Sequence, residues 1–135
     1  KVSKISRVGD IETRALRDIT LPIDAGEFVA ITGPSGSGKT TLLNVCGMLE
    51  TIESGTYRFD GQDVGRLSDR QASRIRNEKI GFVFQSYNLI PDLSVFANIE
   101  APLRYRGFSA RERKERVDAA LAKVGLSNRA KHRPP

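Results

Sequence analysis

Eight consecutive residues, Gly33-Pro34-Ser35-Gly36-Ser37-Gly38-Lys39-Thr40, fit the spacing G-x-x-x-x-G-K-[ST]. Each residue type has a physical reason to stand at its offset. Glycines let the backbone curl until successive N–H groups face inward and form a nest for an anion. A helix that starts where the loop ends adds the positive end of its dipole. Lys39 then reaches the β- and γ-phosphates of a nucleoside triphosphate, and the Thr40 hydroxyl is placed for Mg²⁺. The expected ligands are therefore a nucleoside triphosphate, taken as ATP although the loop itself does not distinguish it from GTP, and Mg²⁺, with Lys39 also the first candidate catalytic residue. Two readings of Thr41 stand side by side: its N–H and hydroxyl face the α-phosphate, or it is an ordinary threonine near a helix start.

The motif carries weight only if a strand precedes it and a helix follows. Phe28-Val29-Ala30-Ile31 is a short continuous apolar run, the pattern of a buried strand. Thr41 to Leu49 reads as a helix with Leu42, Leu43, Val45, Cys46 and Leu49 on or near one face. Upstream, Val2 to Ser6 alternates as a strand would, and Ala15 to Ile23 carries a second strand with Pro22 at its edge or end. Asp24-Ala25-Gly26-Glu27 is a turn. Downstream, Gly55 to Phe59 is a strand stopped by Asp60-Gly61, and Ser68 caps a helix to about Asn77. Ile80 to Phe84 is another strand of buried type, ending at Gln85. From Ser94 the chain is mostly helical. Ser109 and Glu112 form a capping box, Val117, Ala120, Leu121 and Val124 form an apolar stripe, and Gly125 follows the helix end.

The bulk composition sets outer limits. The chain has 135 residues, 39% hydrophobic and 28% charged, which is a globular composition with no membrane-spanning run. A single cysteine, Cys46, excludes an internal disulfide and fits a reducing, cytoplasmic setting; among its apolar neighbours it reads as core. His132, the only histidine, lies in a polar basic tail and reads as exposed. The net charge of +6 is concentrated in the last third, at residues such as Arg104, Arg113 and Arg133. Interleaved Glu112, Glu115 and Asp118 favour a solvated helix face over a nucleic-acid or anionic-membrane surface. Both ends read as cut, since the chain starts at Lys1, has Met48 as its only methionine and stops at Pro134-Pro135.

Beyond the loop, three stretches resemble the ATP-binding cassette (ABC) ATPases: Ala15-Leu16-Arg17-Asp18-Ile19-Thr20-Leu21 with Ala25 to Ile31, Ser54 to Val64, and Ile80-Gly81-Phe82-Val83-Phe84-Gln85. Gly81-Phe82-Val83-Phe84-Gln85-Ser86-Tyr87-Asn88-Leu89, followed by Asn98-Ile99-Glu100, is similar to the branch that works with macrolide-exporter, lipoprotein-release and cell-division permeases. The resemblance implies an α/β fold: a P-loop NTPase core of ABC type with an N-terminal antiparallel β-subdomain and the start of a helical subdomain. About residues 1–85 would form the β-subdomain and part of the core, and about 86–135 the helical part. It implies that Gln85 is the Q-loop glutamine, serving Mg²⁺ or the attacking water, against the plainer reading of a surface glutamine at a strand end. It also implies a head-to-tail homodimer on membrane permease subunits, peripheral at the cytoplasmic face, with no nucleic acid.

Two departures accompany the resemblance. Alignment through Gly9-Asp10 puts Ser6 where the family places an aromatic ring on adenine, and a hydroxyl offers no stacking face. The family's signature Leu-Ser-Gly-Gly-Gln, its Walker B aspartate, catalytic glutamate and switch histidine have no counterpart in the chain. In the resembled fold the Walker B strand lies between Phe28–Ile31 and Ile80–Phe84. These two segments are thus expected to be displaced or to pair with another chain, and the 135 residues are expected to bind nucleotide without hydrolysing it. Alternatives of other classes are a P-loop ATPase acting on nucleic acid, suggested by the arginine-rich third, and a non-catalytic nucleotide sensor.

Overall fold

The computed structural model describes residues 1–8 and 11–134, and the side chains of all of these but 7, 8 and 11. It divides into two compact units, Lys1–Arg76 and Asn77–Pro135. In the first, β1 (Val2–Val8) pairs antiparallel with β2 (Ile11–Ile19) along one edge, with Ser6 opposite Thr13. Its other edge takes β3 (Ser54–Gly55), giving the sheet order β2-β1-β3. β4 (Arg58–Phe59) and β5 (Gln62–Asp63) form a separate hairpin. Its two turn residues, Asp60 and Gly61, have φ of 50° and 77°, the left-handed pair that matches the twist of a tight hairpin. The expected strand over Gly55 to Phe59 is therefore two short strands with different partners.

Helix α1 (Lys39–Cys46) begins two residues before the expected start and ends three before the expected end. Of its apolar residues only Val45 is buried, joining Leu16 of β2, Met48 and Val64 in the core of this unit; Cys46 is half-buried. Helix α2 (Asp69–Lys79) starts behind Ser68, whose Oγ accepts from Gln71 N–H while Gln71 Oε1 accepts from Ser68 N–H. This reciprocal pair satisfies donors that a helix start leaves over.

Helices α3 (Val95–Tyr105) and α4 (Ala110–Lys123) dominate the second unit. Ser94 caps α3 by accepting from Ala97 N–H, and the Ser109–Glu112 capping box of α4 is present in both directions. Val117 and Leu121 are fully buried, whereas Val124 is 66% exposed, so the apolar stripe ends one turn early. Asn98 fastens the approach to α3: its side chain accepts from Ile90 N–H and donates to the carbonyls of Ile90, Leu93 and Ser94. Arg111–Glu115 and Lys114–Asp118 are exposed pairs four residues apart, as a solvated face of mixed charge requires.

Phe28 to Ile31 and Ile80 to Phe84 correct the sequence reading: neither is a strand. Phe28 is 96% exposed and Val83 102%. A buried strand exists through its ladder and its cover, and no described segment supplies either. The Phe82 and Phe84 rings stack at 5.5 Å, as side chains two apart on an extended chain can.

Glu100 is the one buried carboxylate among the described residues. Its Oε1 accepts from Arg113 Nε at 2.8 Å, and its Oε2 accepts from Arg104 Nε and Nη2 at 3.0 and 2.8 Å. Arg113 also donates to the Phe108 carbonyl, so the cluster ties α3 to α4 and to their connection. The bonded Arg113 guanidinium holds the Glu100 carboxyl below its usual range; burial opposes this and Arg104 adds to it. A depressed folded pKa stabilises the fold above the unfolded value, about 4.3, and that contribution is lost as pH falls through the folded value. Glu100→Gln should therefore lower the thermal midpoint at pH 7 and lose less than wild type on acidification below about pH 4. Parallel acid arms in the two melting series would exclude this role for Glu100.

Candidate functional site

The segment Gly33–Thr41 forms one continuous loop and helix start. Its glycines adopt backbone angles that other residues rarely take: φ is 152° at Gly33, 77° at Gly36 and 88° at Gly38. Between them Ser37 N–H closes a turn onto the Pro34 carbonyl at 3.3 Å. Lys39, the first residue of α1, folds back over this curl. Its ammonium donates to the carbonyls of Gly33 at 2.9 Å and Pro34 at 2.7 Å, and to Ser37 Oγ at 3.4 Å. Three protons thus meet three acceptors, and the cation is held at the loop rather than swinging in solvent.

Gly38 is the N-cap of α1, and no side chain caps the helix. The first-turn N–H groups, which α3 and α4 partly satisfy with serine caps, are left to the loop's concave side. An anion there meets the dipole end, the N–H groups and the Lys39 ammonium together. Exchanging neutral carbonyls for phosphate oxygens strengthens each lysine hydrogen bond, because a charged acceptor bonds more strongly. Pro34, Ser35 and Thr40 are exposed and Thr41 is half-buried, so the Thr40 hydroxyl is open to a bound ion. The donor set fits a polyphosphate with a hard cation.

Gln85 lies in the second unit, exposed, in an irregular stretch beside the Ser86–Asn88 side-chain hydrogen bond. Ser6 is half-buried in β1; Gly9 and Asp10, which carry its alignment, lie outside the described residues. Sequence reasoning passed over Tyr57 and Arg76. Tyr57 Oη donates to the Cys46 carbonyl at 2.7 Å and Arg76 Nη1 to the Met48 carbonyl at 2.7 Å, both at the far end of α1. Neither belongs to a motif, and a tyrosine just before a short strand or an arginine on a helix gives no signal of such contacts.

Gly38 also sits against β2. A Cβ built there would lie 2.5 Å from the Ala15 carbonyl oxygen, and the residue is left-handed besides. Gly26, with φ of 83° in the Asp24–Glu27 turn, has open space around it. Gly38→Ala should cost roughly 2–3 kcal/mol of stability, and Gly26→Ala only about 1 kcal/mol of backbone strain. Equal losses in denaturant titrations would show that the approach to β2 carries no constraint.

A sequence profile of the ABC transporter family matches residues 16–135. An uncharacterized ABC transporter ATP-binding protein of Thermotoga maritima is 47% identical over 98% of this chain and 57% of its own length. The macrolide export ATP-binding/permease protein MacB of an Azoarcus species is 49% identical over 98% of this chain and 20% of its own. Among solved structures, the ATP-binding cassette MJ0796 in a dimeric post-hydrolysis state bound to ADP and Pi superposes with a TM-score of 0.86. It is 40% identical, over 98% of this chain and 59% of that one. The chain thus spans a little over half the length of the Thermotoga relative and of that cassette. With the phosphate loop built as described and these matches along nearly all its length, the chain belongs to the ABC transporter family, as an ATP-binding domain of the macrolide-exporter branch.

Proposed function

We propose that the chain holds ATP by its phosphates at Gly33, Pro34, Ser35, Gly36, Ser37, Gly38, Lys39, Thr40 and Thr41, and that the protein uses ATP hydrolysis to drive a membrane permease. The observation that carries the proposal is the Lys39 ammonium held on the Gly33 and Pro34 carbonyls, at the start of a helix with no side-chain cap. Glycine-loop N–H groups and the α1 dipole would bind the phosphates, with Lys39 on the β- and γ-oxygens. Thr40 would serve Mg²⁺, which when bound offsets the charge of the phosphate oxygens, and Gln85 is a second candidate for that role. Thr41 would serve the α-phosphate, and Gln85 would also orient the attacking water.

The permease coupling rests on family membership and on the export proteins among the relatives. The dimeric state of the related cassette supports a pair of such domains; in this reading the pair works head to tail on the cytoplasmic side of a permease. Among the described residues no helix is long and apolar enough to cross a membrane.

Lys39→Ala removes the one side-chain cation held at the loop among the described residues. It should reduce ATP affinity by at least about 100-fold in calorimetry, several kcal/mol of charge-assisted bonding being lost. An unchanged dissociation constant in a folded variant would mean that the phosphates bind elsewhere.

A further inference from the structure

Helix α1 has only eight residues and buries a single side chain, Val45. A helix so short is marginal on its own in water, so its geometry depends on what holds its ends. Its C-terminal carbonyls are all occupied. Gly47 N–H bonds the Leu43 carbonyl, Leu49 N–H the Asn44 carbonyl and Met48 N–H the Val45 carbonyl. The last carbonyl of the helix, on Cys46, takes the Tyr57 hydroxyl.

The two bonds from Met48 and Leu49 form the usual left-handed helix stop, which normally places glycine in the left-handed position. Helix α4 follows that rule: Gly125, φ 71°, donates to Ala122 and Leu126 to Leu121. In α1 the glycine, Gly47, comes one residue early, and Met48 itself adopts φ 56°. A side chain in that region costs about 1 kcal/mol, so the turn must be held from outside. Arg76 does so, bonding the Met48 carbonyl from α2 and bracing its own Nη2 on Ser73 Oγ. Its charge also stands at the negative end of the α1 dipole. Burial, with a further contribution from Cys46, pushes the Tyr57 hydroxyl up to about 12, so it remains a donor throughout the physiological range.

We propose that Tyr57 and Arg76 are positioning residues for phosphate binding, fixing the strained Met48 turn at one end of the helix whose other end carries Lys39 and Thr40. The inference rests on the phosphate-site reading above. The helix spans about 12 Å at 1.5 Å per residue, too short to absorb a loosened end. Tyr57→Phe removes one oxygen and leaves the ring beside a cavity of about 150 Å³ lined in part by Met48, Ile52 and Leu67.

The test is calorimetric titration of wild type, Tyr57→Phe, Arg76→Ala and Arg76→Lys with MgATP and with inorganic tripolyphosphate, alongside Lys39→Ala. Tripolyphosphate carries no base or ribose, so it reads the loop alone. Tyr57→Phe and Arg76→Ala should weaken both probes by the same factor, about three- to tenfold, with Arg76→Lys recovering part of the loss. Affinities within twofold of wild type in the folded Tyr57→Phe variant, or a loss confined to ATP, would overturn the positioning role. Should Arg76→Ala not fold, Tyr57→Phe and Arg76→Lys decide alone. If wild type and Lys39→Ala bind tripolyphosphate equally, the phosphate-site reading itself fails and this inference fails with it.

Discussion

The curl at Gly33–Gly38 has to be held in a backbone conformation that few residues tolerate, at the head of a helix too short to stand alone. Most of the first unit can be understood as meeting that constraint. β2 presents the Ala15 carbonyl to Gly38 so closely that only a residue without a Cβ fits. Leu16, beside it, joins Val45 of the helix in the core. From the opposite end, the hairpin and α2 reach in with Tyr57 and Arg76. The strain of the left-handed glycines and of Met48 is thus distributed over the surrounding elements, which is how such conformations persist at functional sites.

The second unit is held by a different kind of interaction. Two arginines share one buried carboxylate at Glu100, and Arg116 and Arg106 lie over the Phe108 ring at 4.2 and 5.5 Å. Much of the basic charge that could suggest a nucleic-acid surface is engaged within the unit, in buried pairing, ring contact or exposed pairs along α4. A buried ion pair is modest evidence for stability, because desolvation opposes the attraction; its geometric specificity is what fixes α3 against α4.

Local chemistry was legible in the sequence wherever a short pattern determines the backbone. The Asp60-Gly61 turn, the Ser109–Glu112 box and the Gly125 helix stop appear as read, because each involves only residues a few positions apart. The glycine loop and the helix after it were legible for the same reason. Phe28–Ile31 and Ile80–Phe84 were not, since an apolar run specifies burial but cannot supply the neighbouring strand that makes a ladder. Tyr57, Arg76 and Glu100 act through contacts spanning 11, 28 and 13 residues, and no periodicity encodes those. Helix α1 ended early because Met48 turns left-handed, before the Leu49 that the apolar face had suggested as its end.

The central claim is that affinity for nucleotide resides in the phosphates gathered at Lys39 and the start of α1. Calorimetry of the wild-type protein with ATP, ADP, AMP and adenosine, each with Mg²⁺, tests it most directly. The account predicts that ATP and ADP bind within about tenfold of each other and that AMP and adenosine are weaker by about 100-fold or more, since they lack the β-phosphate that lysine and the loop N–H groups address. Adenosine or AMP binding as tightly as ATP would contradict it, because affinity would then reside in the base and sugar.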